Sequence, residues 1–172
     1  LQTLVDNLEF VEVKDLMLYG RIPKIGSNIE RNILLKLFKH EKLGNHIQKS
    51  GSQIVYRFAG GRYFKVVTNY SNGSSAERVI YFKRKIAKSI GCILSSSLSF
   101  WFYQVYSDNL NWKNYEISEF RIPCLLDSDM IYLGELYDYY LRDIERNANV
   151  RISSGSSSYN VSSFKEYKIG KS

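Results

Sequence analysis

The chain has 172 residues and a formal net charge of +7, with 44% hydrophobic and 24% charged residues. This composition is that of a folded domain, and the positive charge favours a polyanionic partner such as nucleic acid. The longest apolar run, residues 90–106, is interrupted by a glycine and several serines, which excludes a membrane-spanning helix there.

Residues 1–26 contain two apolar patches. The alternation at residues 11–14 predicts a short strand, and Pro23 restricts any strand beside it to a sheet edge. The chain starts without methionine and ends on a basic polar tail. We therefore expect a piece of a longer protein, in which residues 1–26 connect to a preceding domain.

A helix is predicted to begin after Ser27. Ser27 can cap the first turn and Glu30 follows three residues later, which is the capping-box pattern. An apolar stripe at helical spacing follows, formed by Ile29, Ile33, Leu34, Leu37 and Phe38. Leu43-Gly44 is predicted to end the helix.

Residues 53–70 predict a β-hairpin. Two β-rich stretches flank Gly60-Gly61, which is typical of a tight turn. A two-residue turn would pair Tyr56 with Lys65. A slip of one residue would exchange the two faces of the hairpin.

The next segment predicts a strand at 77–82 followed by two helices. Three cations at 83–85 open the first helix. Because cations destabilise a helix N-terminus, these residues favour a role in ligand binding or solvation. Serines at 95–97 end this helix and begin a second one at 98–106, and residues 115–122 predict a last strand.

From residue 127 the pattern changes to that of a long helix. A heptad-like seam is formed by Met130, Leu133, Tyr137, Tyr140 and Ile144. We expect a helix of about twenty residues that packs on the domain, on a partner helix or on a second copy. The serine-rich stretch 153–158 predicts a flexible linker.

Motifs of catalysis are absent from the sequence. The only two prolines, Pro23 and Pro123, exclude the Asp/Asn-Pro-Pro-Tyr loop with which amino-methyltransferases hold a flipped base. No glycine-rich phosphate loop follows a strand, and His40 and His46 lie in a polar segment typical of surface positions. We therefore expect no catalytic residue.

Metal sites have little support in the sequence. Asp6 followed by Glu12 and Lys14 resembles the pattern of metal-dependent nucleases, although a charged edge strand explains the same residues. Cys92 and Cys124 form no C-x-x-C pair and are expected to be buried free thiols in a reducing cytosol. We expect no metal site and a cytoplasmic location.

Several motifs resemble those of one enzyme family. They are Tyr56-Arg-x-Ala-Gly-Gly-Arg-Tyr63, Ile93-Leu-x-Ser-Ser-Leu98, Phe100-Trp-Phe-Tyr103, Tyr106-Ser-Asp108 and Phe120-Arg-Ile-Pro123. In this order they are similar to the C-terminal target-recognition domain of DNA adenine N6-methyltransferases of restriction–modification systems, including bifunctional type IIG enzymes. The resemblance covers about residues 20–172.

The resemblance implies an α+β fold with a small mixed or antiparallel sheet and packed helices, related to the target-recognition domains of type I specificity subunits. It implies a recognition domain at 27–126, a spacer-like helix at 127–150 and a flexible basic tail at 151–172. Methylation, S-adenosylmethionine and any Mg²⁺ would belong to a separate catalytic domain of the same polypeptide. This chain alone would carry no cofactor and no methyltransferase activity.

Double-stranded DNA is the partner that this interpretation predicts. The family has no fixed base-reading residues, so contact residues follow from chemistry. Phosphate candidates are Lys49, Lys83, Arg84 and Lys85. Candidates for base edges or phosphates are Arg57, Arg62, Lys65, Asn69 and Arg78. The loops at 71–75 and 109–114 are candidates for groove insertion, the latter with Asn111 and Trp112. For each cation, a solvated position explains the residue equally well.

Two other functions remain open at this point. One is a protein-interaction or assembly module that acts through the heptad helix. The other is a small metal-dependent nuclease built on Glu12 and Lys14.

Overall fold

The computed structural model describes residues 10–59 and 65–147 and the backbone of 151–153 and 156–158. These residues form an α+β fold of short antiparallel sheets and packed helices, which confirms the predicted fold class. The helices are α1 (Asn28–Leu37), α2 (Arg84–Leu94), α3 (Ser97–Tyr106), α4 (Asn114–Glu119) and α5 (Asp127–Asn147). The strands are β1 (Glu41–Lys42), β2 (Ser52–Arg57), β3 (Val67–Thr68), β4 (Glu77–Phe82), β5 (Arg121–Ile122), β6 (Arg151–Ser153) and β7 (Ser156–Ser158).

The main sheet has β2 at its centre, paired antiparallel with β3 on one side and with β4 on the other. Tyr56 lies opposite Val67, two residues from its predicted partner Lys65. Because side chains alternate with a period of two, this shift keeps every side chain on its predicted face. The glycine turn itself lies outside the described residues, and α2 packs across all three strands.

The predicted start of α1 is confirmed. The Ser27 hydroxyl accepts a hydrogen bond from the Glu30 amide at 3.3 Å, and the Glu30 carboxylate accepts one from the Gly26 amide at 2.8 Å. The Glu30 amide of the first turn and the Gly26 amide just before the cap are thus satisfied, and Leu34 and Leu37 are buried on the inner face.

The predicted strand at 77–82 and the helices that follow it are confirmed as β4, α2 and α3. The strand predicted at 115–122 is wrong for most of its length, because residues 114–119 form α4 and only Arg121–Ile122 is a strand. The Glu116 carboxylate accepts a hydrogen bond from the Lys113 amide at 2.9 Å. This local bond satisfies the first turn of α4.

The long helix α5 packs along α2, and its predicted seam faces inward. Tyr137 and Ile144 are buried, while Met130, Leu133 and Tyr140 are half-buried. The Ser89 hydroxyl donates to the Met130 carbonyl at 3.1 Å, and Lys88 pairs with Asp138 at 2.6 Å. The seam is therefore covered by the chain's own domain.

Residues 10–26 pack against α3. The strand predicted at 11–14 is wrong, since the segment is irregular and continues into a short 3-10 helix, Lys14–Leu16. Leu16 is fully buried, and its carbonyl accepts a hydrogen bond from the Tyr106 hydroxyl at 2.7 Å. The Lys24 amide donates to the Val105 carbonyl at 3.0 Å. This segment is thus part of the packed domain.

Two further expectations need correction. The flexible linker predicted at 153–158 is wrong for the strand residues, because β6 pairs antiparallel with β7. Cys92 is half-buried, but Cys124 is exposed in the irregular segment between β5 and α5 and is not a buried thiol. Within the described part of the chain, no helix is both long and apolar enough to span a bilayer.

Candidate nucleic-acid interface

Four predicted phosphate contacts lie at one end of the main sheet. The Gln48 amide donates to the Tyr81 carbonyl at 2.8 Å, and Ser52 lies opposite Phe82. This pairing places the turn that carries Lys49 beside the junction between β4 and α2. Here we define the basic end as Lys49, Lys83, Arg84 and Lys85, all of them exposed.

The basic end contains positive charge that the fold leaves mostly uncompensated. Lys85 pairs with Asp127 at 2.8 Å, while Lys49, Lys83 and Arg84 have no ion pair among the described residues. No side chain caps α2, and its first turn contains no acidic residue. Each cation near a helix N-terminus costs about 0.3–1 kcal/mol at low salt. An anion bound here would remove that penalty.

Two arginines lie in fixed positions at the opposite end of the main sheet, Arg57 on β2 and Arg78 on β4. The Arg78 guanidinium carbon lies 3.8 Å above the Phe58 ring, and its Nη1 donates to the Ser75 carbonyl at 3.2 Å and the Glu77 carbonyl at 2.7 Å. The Arg57 Nε donates to the Ala59 carbonyl at 3.0 Å. Stacking on an aromatic ring orients a guanidinium fork without neutralising it.

The two groups of cations are separated by the length of β2. That strand has six residues, which corresponds to about 17 Å. Arg57 and Arg78 therefore cannot contact the same phosphate as the basic end. An extended polyanion is the kind of partner that is long enough to reach both groups.

The loop at 71–75 is held by its neighbours. The Glu77 carboxylate accepts hydrogen bonds from the Ser71 hydroxyl at 2.7 Å and the Asn72 amide at 3.1 Å. Gly73 has a φ of +74°, a conformation that favours glycine. Asn69, just before this loop, is exposed. These hydrogen bonds order the loop and fix it next to Glu77, the residue that precedes Arg78.

Trp112 does not lie where the sequence predicts. Its side chain is 3% exposed, with the indole ring centred 5.6 Å from that of Tyr56 and 5.9 Å from that of Tyr103. The Trp112 amide donates to the Phe58 carbonyl at 2.7 Å, and Asn111, half-buried, bridges to Ala59. The loop is folded onto the end of β2, so Trp112 is a core residue and its prediction as a DNA contact is wrong.

Asp108 orders the same loop. Its carboxylate accepts hydrogen bonds from the Leu110 and Asn111 amides, at 2.9 and 3.0 Å, and from Lys113 Nζ at 2.7 Å. The Lys113 ammonium and these amides hold the pKa of Asp108 well below its usual range. The loop therefore carries an ionised carboxylate at neutral pH.

Lys65 is the second predicted contact that burial contradicts. The residue is 7% exposed, and its Nζ lies 4.8 Å from the centre of the Tyr103 ring. Burial is the main cause that lowers its pKa, and the nearby Arg57 charge adds to it. Lys65 is packed inside the domain and is not available to a duplex. Arg62 lies outside the described residues.

The residues of the predicted nuclease pattern are not brought together as a site. Glu12 and Lys14 are exposed, and Asp6 lies outside the described residues. Among the described residues, no three His, Cys, Asp or Glu side chains gather in a way that suits a metal ion. The sequence also missed Phe58 as the ring that positions Arg78, because Phe58 follows β2 whereas Arg78 lies in β4, and no local pattern links them.

Comparison of the chain with protein-family models, with curated proteins and with solved structures gave no match in any of the three.

Proposed function

We propose that this chain is a double-stranded DNA recognition domain. The observation that carries the proposal is the basic end, where three cations without ion pairs surround the uncapped N-terminus of α2. Positive charge placed against the helix dipole lowers the stability of the free domain and is offset when phosphates bind. We therefore interpret these cations as ligand-binding residues and not as residues that stabilise the fold.

Specific contact is proposed for the other end of β2. Arg78, stacked on Phe58, presents a rigid fork of the kind that pairs with guanine. Exposed Asn69 lies nearer the basic end, where its carbonyl accepts a hydrogen bond from the Gln53 side chain at 2.9 Å, and its amide suits adenine. The basic end would set the position of the duplex and the Arg78 end would read bases. With the resemblance to target-recognition domains, this supports a role in a restriction–modification methyltransferase whose catalytic domain is separate.

Association through the heptad seam has less support. The seam residue Tyr137 is fully buried against α2. A charged residue at Tyr137 would unfold the domain, so loss of association in such a variant would not indicate an assembly role.

The test is selection from a randomised duplex pool at two salt concentrations. Enrichment of a short motif containing adenine is the expected result, with affinity that falls steeply as salt rises. Absence of binding to any duplex at the lower salt would overturn the proposal.

A pair of double variants identifies the contact surface. Lys83→Ala with Arg84→Ala should reduce the slope of log affinity against log salt by about two. The control is Lys14→Ala with Arg142→Ala, which removes the same charge from exposed positions elsewhere. An equal loss in both double variants would show only a general effect of net charge and would contradict the assigned surface.

A further inference from the structure

A second concave surface lies beside the basic end and is separate from the Arg78 end of the sheet. It is a cavity of about 650 Å³ between the end of α1, the β1–β5 pair and the N-terminal halves of α2 and α5. Its volume falls within the range of small-molecule sites, about 300–1,000 Å³. We name it the α1–α5 groove.

The floor of the α1–α5 groove is apolar. It is formed by Ile86, Ile90, Ile122 and Met130. Ile90 and Ile122 are buried, whereas Ile86 and Met130 are half-buried. These side chains come from α2, β5 and α5, three elements fixed in the core. The floor therefore offers a preformed hydrophobic surface to the body of a ligand.

The rim of the groove carries two ammonium groups, Lys39 and Lys85, and two carboxylates, Glu41 and Asp127. Its two carboxylates are already paired, Glu41 with His46 at 3.0 Å and Asp127 with Lys85 at 2.8 Å. Lys39, exposed at the end of α1, has no ion pair among the described residues. A negative group on a ligand would meet this ammonium without displacing an existing carboxylate.

We propose that the α1–α5 groove binds a small amphipathic anion, in which one carboxylate, sulfonate or phosphate group is carried on an apolar body. The apolar body lies on the isoleucines and Met130, and the anionic group pairs with Lys39. A neutral apolar ligand would leave Lys39 unused, and a dianion would approach the carboxylates of Glu41 and Asp127. The proposal does not depend on DNA recognition.

Decanoate is the first probe, with its affinity measured by calorimetry on the full chain. Saturable binding at one site is expected, and Lys39→Glu should weaken it at least tenfold, about 1.4 kcal/mol. The matched control is Lys36→Glu, an equal charge reversal one turn earlier on α1 at an exposed position outside the groove. Its affinity should remain within about twofold of the unchanged protein.

Cys124 reports occupancy of the groove independently. It is exposed at the rim, whereas Cys92 is half-buried and absent from the lining. In a Cys92→Ser background, decanoate should slow alkylation of Cys124 by iodoacetamide, and the same concentration of neutral decanol should slow it less. Failure of decanoate to bind, equal losses in Lys39→Glu and Lys36→Glu, or unchanged alkylation at saturation would each overturn the proposal.

Discussion

Tyr137 of α5 lies directly against Gly91 of α2. A Cβ added at Gly91 would lie 2.6 Å from the Cε1 atom of the Tyr137 ring, well inside van der Waals contact. The absence of a side chain lets the ring cross α2, and the Tyr137 hydroxyl donates to the Val67 carbonyl of β3 at 3.4 Å. One glycine thus lets α5 reach the edge of the main sheet.

Gly91→Ala should destabilise the domain. Alanine favours a helix by about 1 kcal/mol over glycine, but overpacking against Tyr137 costs about 1–3 kcal/mol or more. We expect a net loss of about 1–2 kcal/mol in the free energy of unfolding, measured by urea denaturation. Gly134→Ala is the control, because its Cβ would make ordinary contact with Lys88 at 3.7 Å. That variant should be as stable as the unchanged protein or more stable, and equal losses at both glycines would contradict the argument.

Tyr106→Phe should loosen residues 10–26. The substitution removes the buried hydrogen bond from the Tyr106 hydroxyl to the Leu16 carbonyl and leaves that carbonyl without its partner. A cost of about 1–2 kcal/mol is expected, with faster amide hydrogen exchange in 10–26. Tyr132→Phe removes an exposed hydroxyl from α5 and should change neither quantity. Unchanged exchange in Tyr106→Phe would show that this bond does not hold the segment.

Asp108→Asn should lower stability in a pH-dependent way. Because the pKa of Asp108 is lower in the folded chain than its ordinary value, ionisation favours folding above about pH 4, and this contribution is lost as the pH falls further. The carboxylate is 35% exposed, so solvent screening limits the loss at pH 7 to about 0.5–1 kcal/mol.

Urea unfolding at pH 7 and at pH 3 measures this effect. The difference between Asp108→Asn and the unchanged protein should narrow at the lower pH. Asp127→Asn breaks an ion pair whose two side chains are mostly exposed, and should alter stability little at either pH. A gap between Asp108→Asn and the unchanged protein that widens on acidification would contradict the assigned role of the carboxylate.

Arg78→Lys separates base reading from phosphate attraction. Lysine keeps the charge but loses the planar fork stacked on Phe58. On the selected duplex, discrimination against a single substituted base pair should fall by about 1–3 kcal/mol, while the salt slope stays unchanged. Competition binding with substituted duplexes measures both. A reduced slope with intact discrimination would assign Arg78 to a phosphate.

Elements with local signals were predictable from the sequence. Ser27 and Glu30 mark the start of α1 within four residues, and the β-rich run at 77–82 is a strand with those bounds. The seam of α5 was correctly predicted to pack, but the sequence left its partner open. That partner is α2, and no local pattern encodes a contact between Gly91 and Tyr137.

The contact predictions that were wrong concern two side chains, Trp112 and Lys65, that are buried by residues distant in the sequence. Trp112 lies in a polar stretch, but Tyr56 and Tyr103 surround its ring. Lys65 looks like one cation of a basic strand, but it lies over Tyr103 inside the domain. In both cases a tyrosine far along the chain determines exposure. The candidate site therefore kept its cations at both ends of β2 and lost Trp112 and Lys65, which are buried at the Phe58 end of that strand.

The contact between Tyr137 and Val67 also bears on how the chain folds during synthesis. The strand β3 has only two residues in the sheet, too few to hold its edge position through its own ladder. The Tyr137 hydroxyl that donates to its Val67 carbonyl belongs to α5, some seventy residues later in the chain. On a ribosome that adds about 5–20 residues each second, α5 is synthesised several seconds after β3. Until then, the surface of α2 at Gly91 lacks the Tyr137 ring that covers it in the folded domain, and a chaperone that recognises exposed apolar surface can bind there.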